Sequence, residues 1–234
     1  DLASLARTVH IGELGLDGRL RPVAGVLPAV VAAARAGLTH VVVPRANEDE
    51  ARLVAGMTVV GAVSLGDVAL WHGADLEPSE LAPVPAALVP ASRPSAGDLS
   101  EVIGQHEAVD ALIAAAAGGH HMLMCGPPGA GKTMLASRLP GILPDLDDEA
   151  ALEVSSIRSL SGIGIDGLVR EPPFESPHHS ASVAALVGGG SRVVRPGAIA
   201  RATNGVLFLD EAAEFASSAL DALRQPLETG SITI

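Results

Sequence analysis

The apolar positions of this chain fall into short runs separated by glycine and proline, and the spacing within each run distinguishes helix from strand. From Leu27 to Ala36, aliphatic residues and alanines fill the run and stop at Gly37, predicting an alanine-rich helix ended by glycine. His40 to Val43 carries consecutive valines closed by Pro44, which predicts a buried strand. Ile11 to Leu20 reads as a strand and turn, Met57 to Val60 as a further strand, and Leu65 to Trp71 as a short helix. From Glu77 to Gly97 the pattern changes: Pro78, Pro83, Pro85, Pro90 and Pro94 lie among alanine and serine, a stretch that cannot continue a helix and reads as an extended linker. Beyond it, Leu99 to Ala117 is helix-rich, His121 to Cys125 is strand-like, and Met134 to Leu139 is a helix stopped at Pro140-Gly141. Gly205 to Leu209 is a short apolar run of the kind buried on both faces of a parallel sheet. The pattern therefore divides the chain into residues 1–76, a linker at 77–97 and residues 98–234, with an α/β fold in the last part. No internal repeat is present.

Composition narrows the class. The chain is 48% hydrophobic and 18% charged, with one cysteine in 234 residues, which suits a cytoplasmic globular protein and rules out an intrachain disulfide. Cys125 is most simply a buried strand residue with no catalytic role. No apolar stretch is long enough to span a membrane, and no signal-peptide pattern opens the chain. The first residue is Asp1, so the natural amino terminus is expected to lie upstream. A net charge of −12 without any arginine run argues against a broad nucleic-acid footprint. Contact with nucleic acid would be local or lie outside these residues.

The chemistry is concentrated around Lys132, the single lysine beside fourteen arginines. It sits in Gly126-Pro127-Pro128-Gly129-Ala130-Gly131-Lys132-Thr133, a full match to the phosphate-loop pattern G-x-x-x-x-G-K-[ST]. Strand before and helix after are the context this loop requires. Glycines let backbone N–H groups close around phosphate oxygens, and the new helix turns its positive end toward the same anion. Lys132 would reach the β and γ phosphates of ATP, Thr133 would place its hydroxyl on Mg²⁺, and Met134 begins the helix beneath. The apolar run at 205–209 ends in Asp210 and Glu211, at the strand end where open α/β sheets bind ligands. Asp210 would hold Mg²⁺, and Glu211 would orient and deprotonate the attacking water. Taken alone, that pair reads equally as a helix cap. The adjacent His178-His179 invites a metal reading, but neighbouring side chains diverge and no cysteine has ligand spacing, so these are loop or partner-facing residues.

These residues carry a family resemblance. Ile103-Gly104-Gln105 resembles the adenine-side box of AAA+ ATPases. Phe174 to Ser182, Leu186 to Gly190, Arg195-Pro196-Gly197, Asn204 to Glu211 and Ala222 to Glu228 resemble, in order, the magnesium-chelatase-like AAA+ proteins, and within them the ComM (YifB) type. The resemblance implies a P-loop NTPase (AAA+) parallel sheet flanked by helices. It also implies an amino-terminal α+β domain similar to that of Lon protease, with a ribosomal S5 domain 2-like fold, carried by Gly12-Glu13-Leu14, Arg19 to Val23 and Arg35-Ala36-Gly37. Ala29 stands where such proteases carry their catalytic lysine, so no peptidase activity is expected. Glu175, Val183 and Ala198 depart from the family's common residues.

The resemblance further implies ATP and Mg²⁺ as cofactors, and Ile103 and Gln105 on the nucleoside side. The full-length protein would be a homo-hexameric motor that moves branched or single-stranded DNA, with no membrane association. A chelatase-type ATPase subunit that remodels a protein partner, and a nucleotide-binding scaffold without hydrolysis, stand as alternatives. The family's sensor residues, arginine finger and helical lid would follow Ile234, so residues 1–234 alone are expected to bind nucleotide weakly and to turn it over negligibly.

Overall fold

The computed structural model describes residues 2–78, 80–85, 97–190 and 194–230. Its contacts divide the chain into one unit of residues 1–91 with 155–168, and a second of residues 92–154 with 169–234.

In the first unit, α1 (Leu2–Ala6), β1 (Thr8–His10), β2 (Glu13–Leu14) and β3 (Leu20–Arg21) lead to α2 (Val26–Arg35) and β4 (His40–Pro44), followed by α3 (Glu48–Ala51), β5 (Thr58–Ala62) and α4 (Leu65–Trp71). Strands β1, β4 and β5 form a parallel sheet in the order β1-β4-β5. The valine run is its middle strand: Val41, Val42 and Val43 are buried, with Val41 opposite Val9 and Val59. A strand flanked on both sides and covered on both faces accepts β-branched residues at every position. Helix α2 buries Val26, Leu27, Val30 and Ala33, the single stripe that its spacing predicts. It ends at Gly37, whose φ of 81° relieves the strain a side chain would meet there. Ser64 and Asp67 form a reciprocal capping box at the start of α4. The antiparallel pair β2–β3 closes the strand and turn expected over 11–20, whereas α1, β1 and α3 carry too few residues to stand out as patterns.

Helix α2 begins at Gly25, which has no side chain with which to cap it. The cap comes from elsewhere in the unit: buried Glu50 accepts the Leu27 N–H through Oε1 at 3.1 Å and an amide hydrogen of Asn47 through Oε2 at 3.2 Å. Ser159 Oγ donates to the same Glu50 Oε1, and the Ser159 carbonyl accepts the Gly25 N–H at 3.1 Å. Asn47, fully buried, also exchanges two hydrogen bonds with the Val23 backbone. Glu50 and the Gly25 N–H thereby both hold Ser159 within the amino-terminal unit.

The second unit contains α5 (His106–Gly118), α6 (Lys132–Ala136), the first half of α7 (Asp148–Leu160), β6 (Phe174–Glu175), α8 (Val183–Val187), β7 (Gly188–Gly189), β8 (Arg195–Pro196), α9 (Ala198–Arg201), β9 (Val206–Leu207) and α10 (Ser217–Thr229). Strands β6 and β9 pair in parallel, and β7 and β8 pair antiparallel. A core of Leu186, Ala198, Phe215 and Ala219 lies beneath β9, with Leu207 and Leu209 packed against it. Gly205 is required where β9 starts, because a Cβ there would come within 2.2 Å of the Pro173 carbonyl oxygen.

Three expectations need correction. The run His121 to Cys125 belongs to no sheet among the described residues, and Leu123 is 85% exposed. An extended apolar run becomes a strand only when a neighbour accepts its backbone groups, and no described segment pairs with it. The Gly205 to Leu209 run forms only the two-residue strand β9, half-buried and paired on one side, not a strand covered on both faces. The helix after the phosphate loop ends at Ala136, and a 3₁₀ turn at Leu139–Ile142 takes in Pro140. No helix among the described residues is long and apolar enough to cross a membrane. The proline-rich positions 79 and 86–96 of the expected linker lie outside the described residues.

Candidate functional site

Gly129 and Gly131 both take φ of 79°, a left-handed conformation that the glycine-rich sequence permits and that bends the chain into a loop before α6. The Lys132 ammonium folds back over this loop and donates to the carbonyl oxygens of Gly126 at 2.8 Å and Pro127 at 3.0 Å. Because α6 has only five residues, its dipole is weak, and the attraction for an anion rests on the loop amides and on Lys132 itself.

Gln105 approaches the loop from the other side. Held at φ 53° at the start of α5, it donates from Nε2 to the Ala130 carbonyl at 3.0 Å. A Cβ on Gly131 would lie 3.3 Å from the same nitrogen and 3.3 Å from Met134 Cε, so the loop accepts only glycine without adjustment. Ile103 is 96% exposed. Pro128 lies at the exposed crest of the loop, and Met134 is partly exposed beneath it.

The two acidic residues follow β9, and their geometry ties them to the loop. Thr133 Oγ1 donates to Asp210 Oδ2 at 2.8 Å, while Asp210 Oδ1 accepts the Glu211 N–H at 3.0 Å. Two cis oxygens on an octahedral Mg²⁺ with bonds of 2.0–2.1 Å stand about 2.9 Å apart, so this pair fits a magnesium ion. No group of three or more His, Cys, Asp or Glu with metal-binding geometry occurs among the described residues.

Glu211 itself stands at φ 52° and ψ 48°, a conformation that costs a non-glycine residue of order 1 kcal/mol and is common where geometry is constrained by function. Its carboxylate lies 3.4 Å from His179 Nδ1. The two residues border an open depression of about 350 Å³ with Ala212, Ala213 and Glu214. Parallel pairing of β6 with β9 brings them there, since the segments that follow parallel neighbours emerge at the same sheet edge. Reading the sequence alone missed His179 as a neighbour of Glu211, because the two-residue strand before it, Phe174–Glu175, is too short and too polar to stand out. It also missed Arg138, which bonds to residues on either side of the loop.

The structure thus joins Gly126, Pro127 and Lys132 in one cluster, Thr133 with Asp210 in a second, and Gln105 with Ala130 and Gly131 in a third. Cys125 is exposed and lies in no strand, contrary to the buried strand position expected of it, because no described segment pairs with or covers its run.

Comparison with known proteins matches residues 98–234 to the family described as magnesium chelatase, subunit ChlI, and residues 2–47 to subunit ChlI of Mg-chelatase. An uncharacterized protein of Mycobacterium tuberculosis H37Rv is 53% identical over 98% of this chain and 45% of its own length. The competence protein ComM of Haemophilus influenzae is 45% identical over 100% of this chain and 46% of its own. The uncharacterized protein YifB of Escherichia coli K12 is 46% identical over 95% and 43%. The chain spans a little under half the length of these relatives.

Proposed function

The chain belongs to the magnesium chelatase ChlI family, and from that premise we propose that it is the ATP-binding part of an AAA+ ATPase whose catalytic groups are Lys132 and Glu211. The observation that carries the reading is the 2.8 Å hydrogen bond between Thr133 and Asp210, which unites the phosphate loop with the acidic strand end.

The loop amides from Gly126 to Thr133 hold the triphosphate, and Lys132 exchanges its carbonyl partners for β and γ phosphate oxygens. Thr133 and Asp210 hold Mg²⁺, which when bound offsets the phosphate charge. Glu211 accepts the proton of the water that attacks the γ phosphorus; the bond from that phosphorus to the β–γ bridging oxygen breaks, and ADP leaves on the side opposite the water. Ile103 and Gln105 flank the nucleoside. Residues 1–76 are a Lon-like domain without peptidase activity, residues 77–97 a linker, and residues 98–234 the AAA+ part.

In the complete protein we assign this activity to a cytoplasmic homo-hexameric ring that moves branched DNA, supported by the 45% identity to a competence protein. The net charge of −12 supports a second reading, a chelatase-type subunit acting on a protein partner, because clustered basic residues for phosphate contacts are lacking. Turnover of ATP by the complete protein, with and without four-way-junction DNA, separates them. Stimulation by the junction supports the motor, whereas Lys132-dependent turnover indifferent to DNA supports the protein remodeller.

A further inference from the structure

Arg138 follows α6 and sends its guanidinium in three directions. Nε donates to the Asp98 carbonyl at 3.0 Å, Nη1 to the Met134 carbonyl at 3.0 Å, and Nη2 to Glu101 Oε2 at 2.7 Å. Its side chain is only 16% exposed, against 57% for Glu101. A guanidinium so covered and so fully bonded is a fixed part, because the planar fork holds all three partners in one geometry. Gly97 packs against it: a Cβ there would lie 3.0 Å from Arg138 Cζ.

The backbone beyond Glu101 runs directly into the candidate site. Gln105 Nε2 reaches the Ala130 carbonyl at 3.0 Å, so residues 98–105 are attached twice, by Arg138 at one end and by the phosphate loop at the other. Between the attachments stands Ile103, 96% exposed. A nearly bare isoleucine beside a phosphate loop is suited to cover one face of a purine base. The partners of Arg138 are Asp98, Glu101 and Met134, not Lys132, Thr133, Asp210 or Glu211, so it acts on residues 98–105 and bonds to none of the side chains read as phosphate, metal or water ligands.

We infer that Arg138 is a positioning residue for nucleotide binding: it holds residues 98–105 against the phosphate loop and so sets the affinity for the nucleoside half of ATP. The inference rests on the nucleotide reading proposed above. Arg138 touches neither substrate nor the reacting atoms, and its effect passes through Ile103 and Gln105. Asp98 adds to the rigidity of the segment by capping its turn, Oδ1 accepting the Ser100 N–H at 2.8 Å.

The test is calorimetric titration of the chain with Mg·ATP and, separately, with Mg-bound inorganic tripolyphosphate, which lacks a nucleoside. Arg138→Gln is expected to weaken ATP about tenfold, the loss of one or two charge-assisted bonds, and to leave tripolyphosphate within about twofold. Arg138→Lys, with a single ammonium in place of the fork, restores the affinity only in part. Should Arg138→Gln fail to fold by thermal unfolding, Glu101→Gln at an exposed carboxylate carries the same signature, at about threefold. Equal losses for ATP and tripolyphosphate, or unchanged ATP binding, would overturn the inference. A wild-type chain that binds neither ligand, and so does not differ from Lys132→Ala, would overturn the nucleotide reading beneath it.

Discussion

Thr133 Oγ1 donates a 2.8 Å hydrogen bond to Asp210 Oδ2, joining two residues 77 positions apart. On the proposed reading that both oxygens serve one ion, Thr133→Ala and Asp210→Asn are expected to weaken Mg·ATP binding about tenfold or more each, with little effect on ATP in EDTA. The double variant should lose far less than the sum of the two. A magnesium titration of the four proteins checks this, and additive losses would separate the two residues.

The role proposed for Glu211 is to act on water and not on the nucleotide. Glu211→Gln in the complete protein is expected to bind ATP within about twofold of the wild type while turnover falls about 10²–10⁴-fold, the usual contribution of a general base. Unchanged steady-state hydrolysis would remove Glu211 from the mechanism.

His10 lies with its Nε2 2.9 Å from His72 Nε2, and His72 Nδ1 is 2.9 Å from Ser4 Oγ. Partial burial, followed by the neighbouring His72 imidazole, holds the His10 pKa below its ordinary value. The unfolded chain then takes up this proton before the folded one does. Stability is complete above the ordinary imidazole pKa of about 6.5 and declines as pH falls through the window just beneath it. Urea unfolding of His10→Gln across that window should give a flatter pH profile than wild type, and an unaltered slope would contradict the assignment.

Glu50 substitutes for the side-chain cap that Gly25 cannot supply. Glu50→Ala removes the acceptor of the Leu27 N–H, of the Ser159 hydroxyl and of one amide hydrogen of buried Asn47, at a cost of about 1–3 kcal/mol. Equilibrium denaturation should show that loss as a lower midpoint, and Glu50→Gln, which keeps one acceptor, should fall between.

Local patterns carried much of the fold. The valine strand at His40–Pro44 and the helix at Val26–Arg35 were legible because run and punctuation agree there, proline closing the one and glycine the other, and the short helix at Leu65–Trp71 was read from its run alone. The phosphate loop and the Asp210-Glu211 pair were legible because their spacing is dictated by the anion they are read to bind. What sequence could not supply was pairing. Whether His121 to Cys125 becomes a strand depends on a neighbour, not on its own composition, and no described segment pairs with it. The approach of His179 to Glu211, and of Arg138 to Asp98 and Glu101, likewise depends on long-range contacts between residues whose local sequence is unremarkable. The bond of Ser159 to Glu50, within the amino-terminal unit, comes from a helix whose pattern gives no hint of that partner.

The most direct test of the central claim is equilibrium titration of the chain with Mg·ATP beside Lys132→Ala. Saturable, magnesium-dependent binding, weak in absolute terms and lost in the variant, is the predicted result. Binding of equal strength in both proteins, or none in either, would contradict the assignment of Lys132 and its loop as a nucleotide site.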